Sequence, residues 1–179
     1  MRTQFLHDVL FPALRQASGG GISIAEYWNG SVAAPYDALA SVAQAGGADL
    51  ATTVPEYTAA QPPLQQIFKS FPVGPKGADQ VEFFRRAYRE IPAFEQEMQA
   101  NNLVTLFLAT GYPVAFFSTK PMADLRDLTG GRWRSASFWH LDALANAGAT
   151  PVRLPWGPQI PRALAAGELD GLMVNVDSG

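Results

Sequence analysis

Residues Gly130–Asn175 decide the fold of this chain and read GGRWRSASFWHLDALANAGATPVRLPWGPQIPRALAAGELDGLMVN. The short alternating run that begins at Arg132 is typical of a strand, and the apolar stripe that begins at Phe138 is typical of a helix. A second strand and a second helix follow, and the apolar run from Leu169 closes the stretch as a buried strand. Strands that alternate with helices of this length predict parallel βαβ units.

Arg134 is the residue in this stretch that most suggests a binding function. Open parallel sheets bind ligands beyond the carboxyl ends of their strands, and Arg134 stands at such an end, before a turn of small residues. By strand alternation Arg132 shares its face, whereas Trp133 points the opposite way. A guanidinium offers two parallel donors to a carboxylate, so we identify Arg134 as a candidate anion-binding residue. The ordinary alternative is a solvated surface arginine.

The composition argues against several classes of protein. A length of 179 residues suits one large domain or two small lobes. The net charge of −3, without a Lys/Arg run, argues against nucleic-acid binding. With no cysteine and two histidines, neither a thiolate nor a His-rich metal site is expected. No apolar run reaches the roughly 18 residues that span a bilayer, and the first residues lack the form of a signal peptide.

Two segments of the chain share one pattern: a helix, a glycine and then an apolar run entered near an aspartate. The first segment is Ala38–Leu50 and the second is Ala163–Leu172. This similarity predicts two lobes on one plan, lobe I in residues 1–108 and lobe II in residues 109–179, with a crossover near 103–120. Apolar runs predict further strands at Ile22–Tyr27, Ala48–Thr53, Leu103–Ala109 and Tyr112–Ser118.

Three motifs in the second half of the chain are similar to those of one known family. Asp127–Arg134 (DLTGGRWR) is similar to that family's Asp-Leu-Lys-Gly-Leu-Lys-Ile-Arg. Ala147–Val152 is similar to its Leu-Gly-Ala-Asn-Pro-Val, and Ala163–Gly171 to its Ala-Leu-Gln-Gln-Gly-Val-Val-Asp-Gly. In this order and at this spacing, the chain resembles the solute-binding proteins of tripartite ATP-independent periplasmic (TRAP) transporters, of the dicarboxylate-binding DctP type. The resemblance covers nearly all of the sequence.

The resemblance implies an α/β fold of the periplasmic binding protein type II, with two βα lobes that close over a ligand in the cleft. It implies a periplasmic protein that binds a small organic acid without converting it and delivers it to membrane permease subunits. It implies no cofactor. The family's arginine at the end of the Lys-Ile-Arg strand pairs with the ligand carboxylate, and this role carries over to Arg134.

The chain is shorter than members of that family. We therefore expect it to be truncated, with lobe I lacking its first strand and with further segments of both lobes missing after Gly179. Unpaired sheet edges promote association, so the isolated piece is expected to be poorly stable or to self-associate. The ligand class stays open, since Gln159–Pro161 replaces the family's Glu-x-Tyr and Leu172–Val174 replaces polar residues.

Four other side chains are candidates for the ligand site, three of them with a structural alternative. Trp156, at a strand-to-helix turn, could line the cleft. Tyr57 could form the opposite lip, or be a partly buried surface residue. Ser137 could donate to an anion or cap a helix, and Asn175 could bind a ligand oxygen or simply end a strand. Trp139 is expected in the core instead.

We expect a binding protein rather than an enzyme. The sequence has no serine nucleophile elbow, phosphate loop or cluster of metal ligands. Asp127, Glu168 and Asp170 could be an acid/base group, but nothing in the sequence fixes their geometry. Two alternatives stay open: a sensing or scaffold lobe of the same fold, and an enzyme that acts on a carboxylic acid.

Overall fold

The computed structural model describes residues 2–44, 47–58, 64–70, 80–108 and 113–176. The chain divides into two compact units, Met1–Val32 and Ala33–Gly179. Ala109, the last residue of one expected strand, and Tyr112, the first residue of another, lie outside the described residues. The division into lobes at residues 108 and 109 stays a prediction.

The first unit begins as a helix. It comprises α1 (Arg2–Phe5), a π-helical turn (Leu6–Leu10) and α2 (Phe11–Ala17). Pro12 lies in the first turn of α2, directly after the π-helical turn, where it removes one donor from the helical ladder. The helix ends at Ser18, and Gly19 and Gly20 adopt positive φ angles that glycine tolerates without strain.

The expected strand at Ile22–Tyr27 is wrong. This segment has no regular secondary structure and pairs with no strand among the described residues. Alternation alone does not make a strand, because the ladder needs a second strand to satisfy its backbone groups. The segment is held instead through Glu26, whose carboxylate lies 2.8 Å from His7 Nδ1 and accepts a hydrogen bond from Trp28 Nε1 at 3.1 Å.

The second unit combines helices with one sheet. Its first part contains α3 (Ala38–Ala43), α4 (Ile67–Ser70), α5 (Gln80–Glu90), α6 (Ala93–Ala100) and the 3₁₀ turns Pro55–Tyr57 and Leu64–Gln66. Its second part contains β1 (Val114–Ser118), a 3₁₀ turn (Leu125–Leu128), β2 (Arg132–Ser135), α7 (Phe138–Asn146), β3 (Thr150–Arg153), α8 (Gln159–Ala165) and β4 (Gly171–Asn175). The alternation predicted for Gly130–Asn175 is confirmed.

The sheet has the strand order β1-β4-β2-β3. Strand β2 is parallel to both β3 and β4, and β1 pairs with β4 in the antiparallel sense. The parallel pairs confirm the βαβ prediction, and the mixed sheet with helices confirms the α/β class. Because β2, β3 and β4 run the same way, their carboxyl ends share one edge of the sheet.

Trp133 and Gly171 explain the packing of the first apolar cluster. Trp133 is buried with Leu128 and Leu144, which places this face of β2 beneath α7. It lies opposite Gly171 in the β2–β4 register. A Cβ atom on Gly171 would overlap the Trp133 ring and would lie 2.6 Å from the Phe117 carbonyl oxygen. Only glycine leaves room here for the indole, since such contacts are far inside van der Waals distance.

The second apolar cluster lies on the face that Arg134 shares. Its buried members are Ile160, Leu169 and Leu172. Leu172 is the register partner of Arg134 on β4, and paired residues of neighbouring strands point to the same side of the sheet. The predicted alternation, with Trp133 and Arg134 on opposite faces, therefore agrees with the packing.

The strands expected at Ala48–Thr53 and Leu103–Ala109 are wrong over the residues that are described. Both segments lack regular secondary structure there. The helices between them pack through aromatic rings instead, with Phe68 of α4 lying 4.8 Å from Phe84 and 5.4 Å from Phe94 between ring centres. Within the described ranges, no helix is both long enough and apolar enough to cross a bilayer.

Candidate functional site

Arg134 lies in β2, near the carboxyl edge of the sheet, and its side chain is fixed from one side. The residue is only 1% exposed. Its Nε atom donates to the Leu154 carbonyl oxygen at 2.7 Å, and its Cζ atom lies 5.6 Å from the centre of a Trp156 ring. The segment that follows β3 thus holds the guanidinium by one hydrogen bond and one cation–π contact.

The other end of the Arg134 guanidinium has a donor without a partner among the described residues. Its Nη2 atom is buried and donates to no acceptor among the described residues. No carboxylate of those residues pairs with Arg134 either. Burial lowers the pKa of Arg134, and the nearby Tyr57 and Tyr36 act in the opposite direction. An arginine stays charged even so, so the site holds a buried cation with an unfilled donor.

Tyr57, the candidate for the opposite lip, interacts electrostatically with Arg134, and its role in a ligand site stays a prediction. It ends the 3₁₀ turn Pro55–Tyr57 and is partly buried. Burial raises the pKa of Tyr57, Arg134 lowers it, and Glu56 and Tyr36 raise it. The opposing influence of Arg134 shows that the phenol and the guanidinium share one environment, although they are far apart in the sequence.

Tyr36 is a third aromatic residue of the site, with Trp156 and Tyr57, and the sequence did not point to it. Its ring meets the Tyr57 ring edge to face, with 5.2 Å between their centres. Its hydroxyl group is buried and has no hydrogen-bond partner among the described residues. The only signal in the sequence was its place in an aromatic, proline-containing segment just before a helix.

Arg153 is a second arginine at the same sheet edge and was also missed. It ends β3 and pairs in register with Ser135, the residue after Arg134. Its Nη2 atom donates to the Tyr57 carbonyl oxygen at 3.2 Å, and its Cζ atom lies 4.0 Å from the Tyr36 ring centre. Its place at the end of a predicted parallel strand could have revealed it.

Ser137 is buried at the start of α7, next to the strand that carries Arg134. It occupies the N-cap position but makes no capping hydrogen bond, and its Oγ atom has no partner within the part of the chain that is described. Neighbouring Ser135 lies 3.2 Å from His140 Nδ1 through its own Oγ atom. The Ser137 side chain therefore does not cap α7.

The roles of Trp156 and Asn175 in a ligand site stay predictions, whereas the expectation that Trp139 lies in the core is wrong. Trp156 lies over Arg134 and is 48% exposed, so one part of its ring remains open. Asn175 ends β4 at the carboxyl edge, opposite Val114, and is not brought into contact with Arg134. Trp139 is partly exposed and donates to Gln66 Oε1 at 3.1 Å, because its indole N–H needs an acceptor that the apolar core lacks.

No group of three or more His, Cys, Asp or Glu side chains that could hold a metal ion occurs within the described ranges. The chemistry at this edge of the sheet is that of one buried guanidinium, three aromatic side chains and small hydroxyl groups. Such a site binds an anion by a directional donor and packs the rest of the ligand on rings.

Comparison with known proteins identifies the architecture. No protein-family model matches the sequence. Solved structures match it over nearly its whole length, among them the extracytoplasmic solute receptor DctP7 of Bordetella pertussis, which binds pyroglutamic acid. The identity is 21% and the TM-score 0.76, over 96% of this chain and 55% of that one. The chain has the fold of TRAP solute-binding proteins.

Two further structures of this fold differ in their ligands. A TRAP periplasmic solute-binding protein of Ralstonia eutropha H16, with bound (S)-2-acetolactate, has 18% identity and a TM-score of 0.79, over 94% of this chain and 54% of that one. Another, of Chromohalobacter salexigens with bound (S)-2-amino-1-propanol, has 21% identity and a TM-score of 0.73, over 95% and 54%. The chain spans about half the length of each TRAP protein that it matches.

Proposed function

We propose that this chain is the solute-binding part of a TRAP transporter and that Arg134 binds the carboxylate of a small organic acid. One observation carries the proposal: the buried Arg134 guanidinium has an unfilled Nη2 donor and no carboxylate partner among the described residues. A buried cation without a counter-ion is costly to a folded protein. An anionic ligand would supply the missing partner.

The fold by itself does not choose between an acid and another solute. The matched proteins are described with pyroglutamic acid and acetolactate, but also with an amino alcohol. Arg134 decides between these classes, because a buried guanidinium attracts a carboxylate and repels the ammonium group of an amino alcohol. The aromatic rings of Trp156, Tyr57 and Tyr36 would then pack against the body of the acid.

Ser137 and Asn175 are proposed to assist at the two sides of the carboxylate. The Oγ atom of Ser137 is buried and without a partner among the described residues, so a ligand oxygen could satisfy it. Asn175 ends β4, next to β2 in the sheet, and its amide could reach a ligand group that extends along this edge. Neither residue is placed at a fixed distance from Arg134.

The proposed transport role involves the whole protein and not only the residues around Arg134. Residues 1–108 and 109–179 would form parts of two lobes that close on the acid, a shift in population driven by contacts that exist only in the closed form. The closed receptor would act outside the cytoplasm and hand the acid to permease subunits in the membrane. The acid would leave unchanged, without turnover and without a cofactor.

Calorimetry with a panel of small organic acids tests the proposal. We expect saturable binding of at least one acid by the purified chain, with the acid recovered unchanged. Arg134→Lys keeps the charge but loses the planar pair of donors, so the affinity should fall at least about tenfold, or about 1.4 kcal/mol. Arg162→Lys on the exposed surface of α8 is the matched control and should bind normally. Equal affinities of the Arg134→Lys variant and the wild type would refute the role of Arg134.

A further inference from the structure

Arg153 connects the end of β3 to a distant part of the chain. Its guanidinium makes two contacts at once: a hydrogen bond of 3.2 Å to the Tyr57 carbonyl oxygen and a stacked contact with the Tyr36 ring, 4.0 Å from its centre. The two tyrosine rings contact each other at 5.2 Å. We call these three residues, Tyr36, Tyr57 and Arg153, the tyrosine clamp.

The contacts of Arg153 are of a kind that only arginine makes together. A guanidinium is planar, so it can donate within its plane while its face covers an aromatic ring. The ammonium group of lysine has no flat face, so it cannot cover the ring while it donates within a plane as a guanidinium does. Arg153 forms no ion pair with a carboxylate of the described residues, so its interactions with the tyrosines are its main role there.

The Tyr36 ring depends on the clamp for its position. Its hydroxyl group is buried and makes no hydrogen bond within the described ranges, so the ring is held through its faces and edges alone. Arg153 covers one face and Tyr57 meets the ring at an angle of 65°. The hydroxyl group is left without a partner among the described residues, and Tyr36 acts on the pKa of Arg134.

We propose that Arg153 is a positioning residue that holds Tyr57 and Tyr36 as a fixed wall of the Arg134 site. Its Nη2 donor and one face of its guanidinium are engaged by the two tyrosines, which is the arrangement of a residue that positions its neighbours. The wall presents the Tyr36 hydroxyl to a polar group of the ligand other than its carboxylate. The ligand of this site is thus a small acid with one further hydrogen-bonding group. This inference rests on the proposed function, because it assigns a role in the same site.

The position of the two rings can be measured without any ligand. The chain has five tyrosines, so labelling with 3-fluorotyrosine gives a spectrum simple enough to assign through Tyr36→Phe and Tyr57→Phe. In the Arg153→Gln variant we expect the Tyr36 and Tyr57 resonances to shift and broaden, while the others stay. Arg153→Lys should restore them only in part, and Arg162→Gln, an exposed arginine outside the clamp, should change none.

Binding measurements on the same variants complete the test. Arg153→Gln should reduce the affinity for the acid at least tenfold, with little change in the thermal midpoint of the free chain. The inference is overturned if the two resonances do not move in Arg153→Gln, or if they move and the affinity is unchanged. If the wild-type chain binds no acid, the proposed function fails, and the fluorine spectra still decide whether Arg153 positions the tyrosines.

Discussion

Replacing Arg134 with methionine should separate binding from stability. Methionine retains most of the length of the side chain but removes its charge. The change removes the hydrogen bond from Nε to the Leu154 carbonyl oxygen, worth about 1.5–3 kcal/mol for a charged donor. It also removes the cation–π contact with Trp156, worth about 0.5–1 kcal/mol at a half-exposed ring. In return it ends the burial of an unpaired cation, a penalty of several kcal/mol.

These opposing contributions nearly cancel, so the free energy of unfolding of the ligand-free Arg134→Met chain should stay within about 1–2 kcal/mol of the wild type, or exceed it. The affinity for the acid should fall by about 2–5 kcal/mol, because the carboxylate would be buried without a partner. Urea unfolding followed by tryptophan fluorescence gives the first quantity, and calorimetry gives the second.

The opposite result would refute this account of the site. If Arg134 were half of a structural ion pair, its replacement would destabilise the free chain by about 3–5 kcal/mol. A loss of that size, together with unchanged affinity for the acid, would show that Arg134 serves the fold and not the ligand. Arg162→Met is the control for a surface arginine, and it should change the unfolding free energy by no more than about 0.5 kcal/mol.

Three further predictions concern other parts of the molecule. Gly171→Ala should destabilise the chain by at least about 1–3 kcal/mol in urea unfolding, because the added methyl group overlaps Trp133. The hydrogen bond to Glu26 and its negative charge raise the pKa of His7 above the ordinary 6.5. The protonated imidazole is the paired form, so its stabilising effect is complete below about pH 6.5 and is lost as the pH rises through the higher folded pKa. An NMR titration should show the pKa of His7 falling in Glu26→Gln, because the largest causes of its rise are removed. Monocarboxylates should bind more tightly than dicarboxylates of similar size, since Arg134 is the buried arginine of the described site and its unfilled Nη2 donor serves one carboxylate; calorimetry showing the reverse order would contradict this.

The parts of the fold that the sequence predicted are those set by local periodicity. In Gly130–Asn175 the strands β2 and β3 are each followed by a helix. The glycines that end these helices, Gly148 and Gly167, adopt the positive φ angles that such ends require. The alternating pattern at Ile22–Tyr27 led to a wrong prediction of a strand. A strand exists only if another strand pairs with it, and alternation in one segment says nothing about its partner.

The candidate site shows the same limit at the level of single residues. Arg134 could be found because its role follows from its position at the end of a predicted parallel strand. The importance of Arg153 depends on Tyr57, which is 96 residues away in the sequence. Tyr36 gains its role only through those two residues. Contacts over such separations are made by tertiary packing, which a periodic pattern does not record.

The geometry around Arg134 favours a binding role over a structural one. A guanidinium that served only the fold would be expected to use its several donors, since a buried charge is stable only when it is paired and hydrogen-bonded. Here the Leu154 carbonyl oxygen and the Trp156 ring hold one side of the group and fix its direction. They leave Nη2 buried and without an acceptor in the described part of the chain. A donor that is already fixed in direction loses little conformational entropy when an anion binds. Because the donor is unfilled in the free chain, the bound chain is the more stable of the two. Such a site therefore gains stability from its ligand in proportion to the logarithm of the ligand concentration.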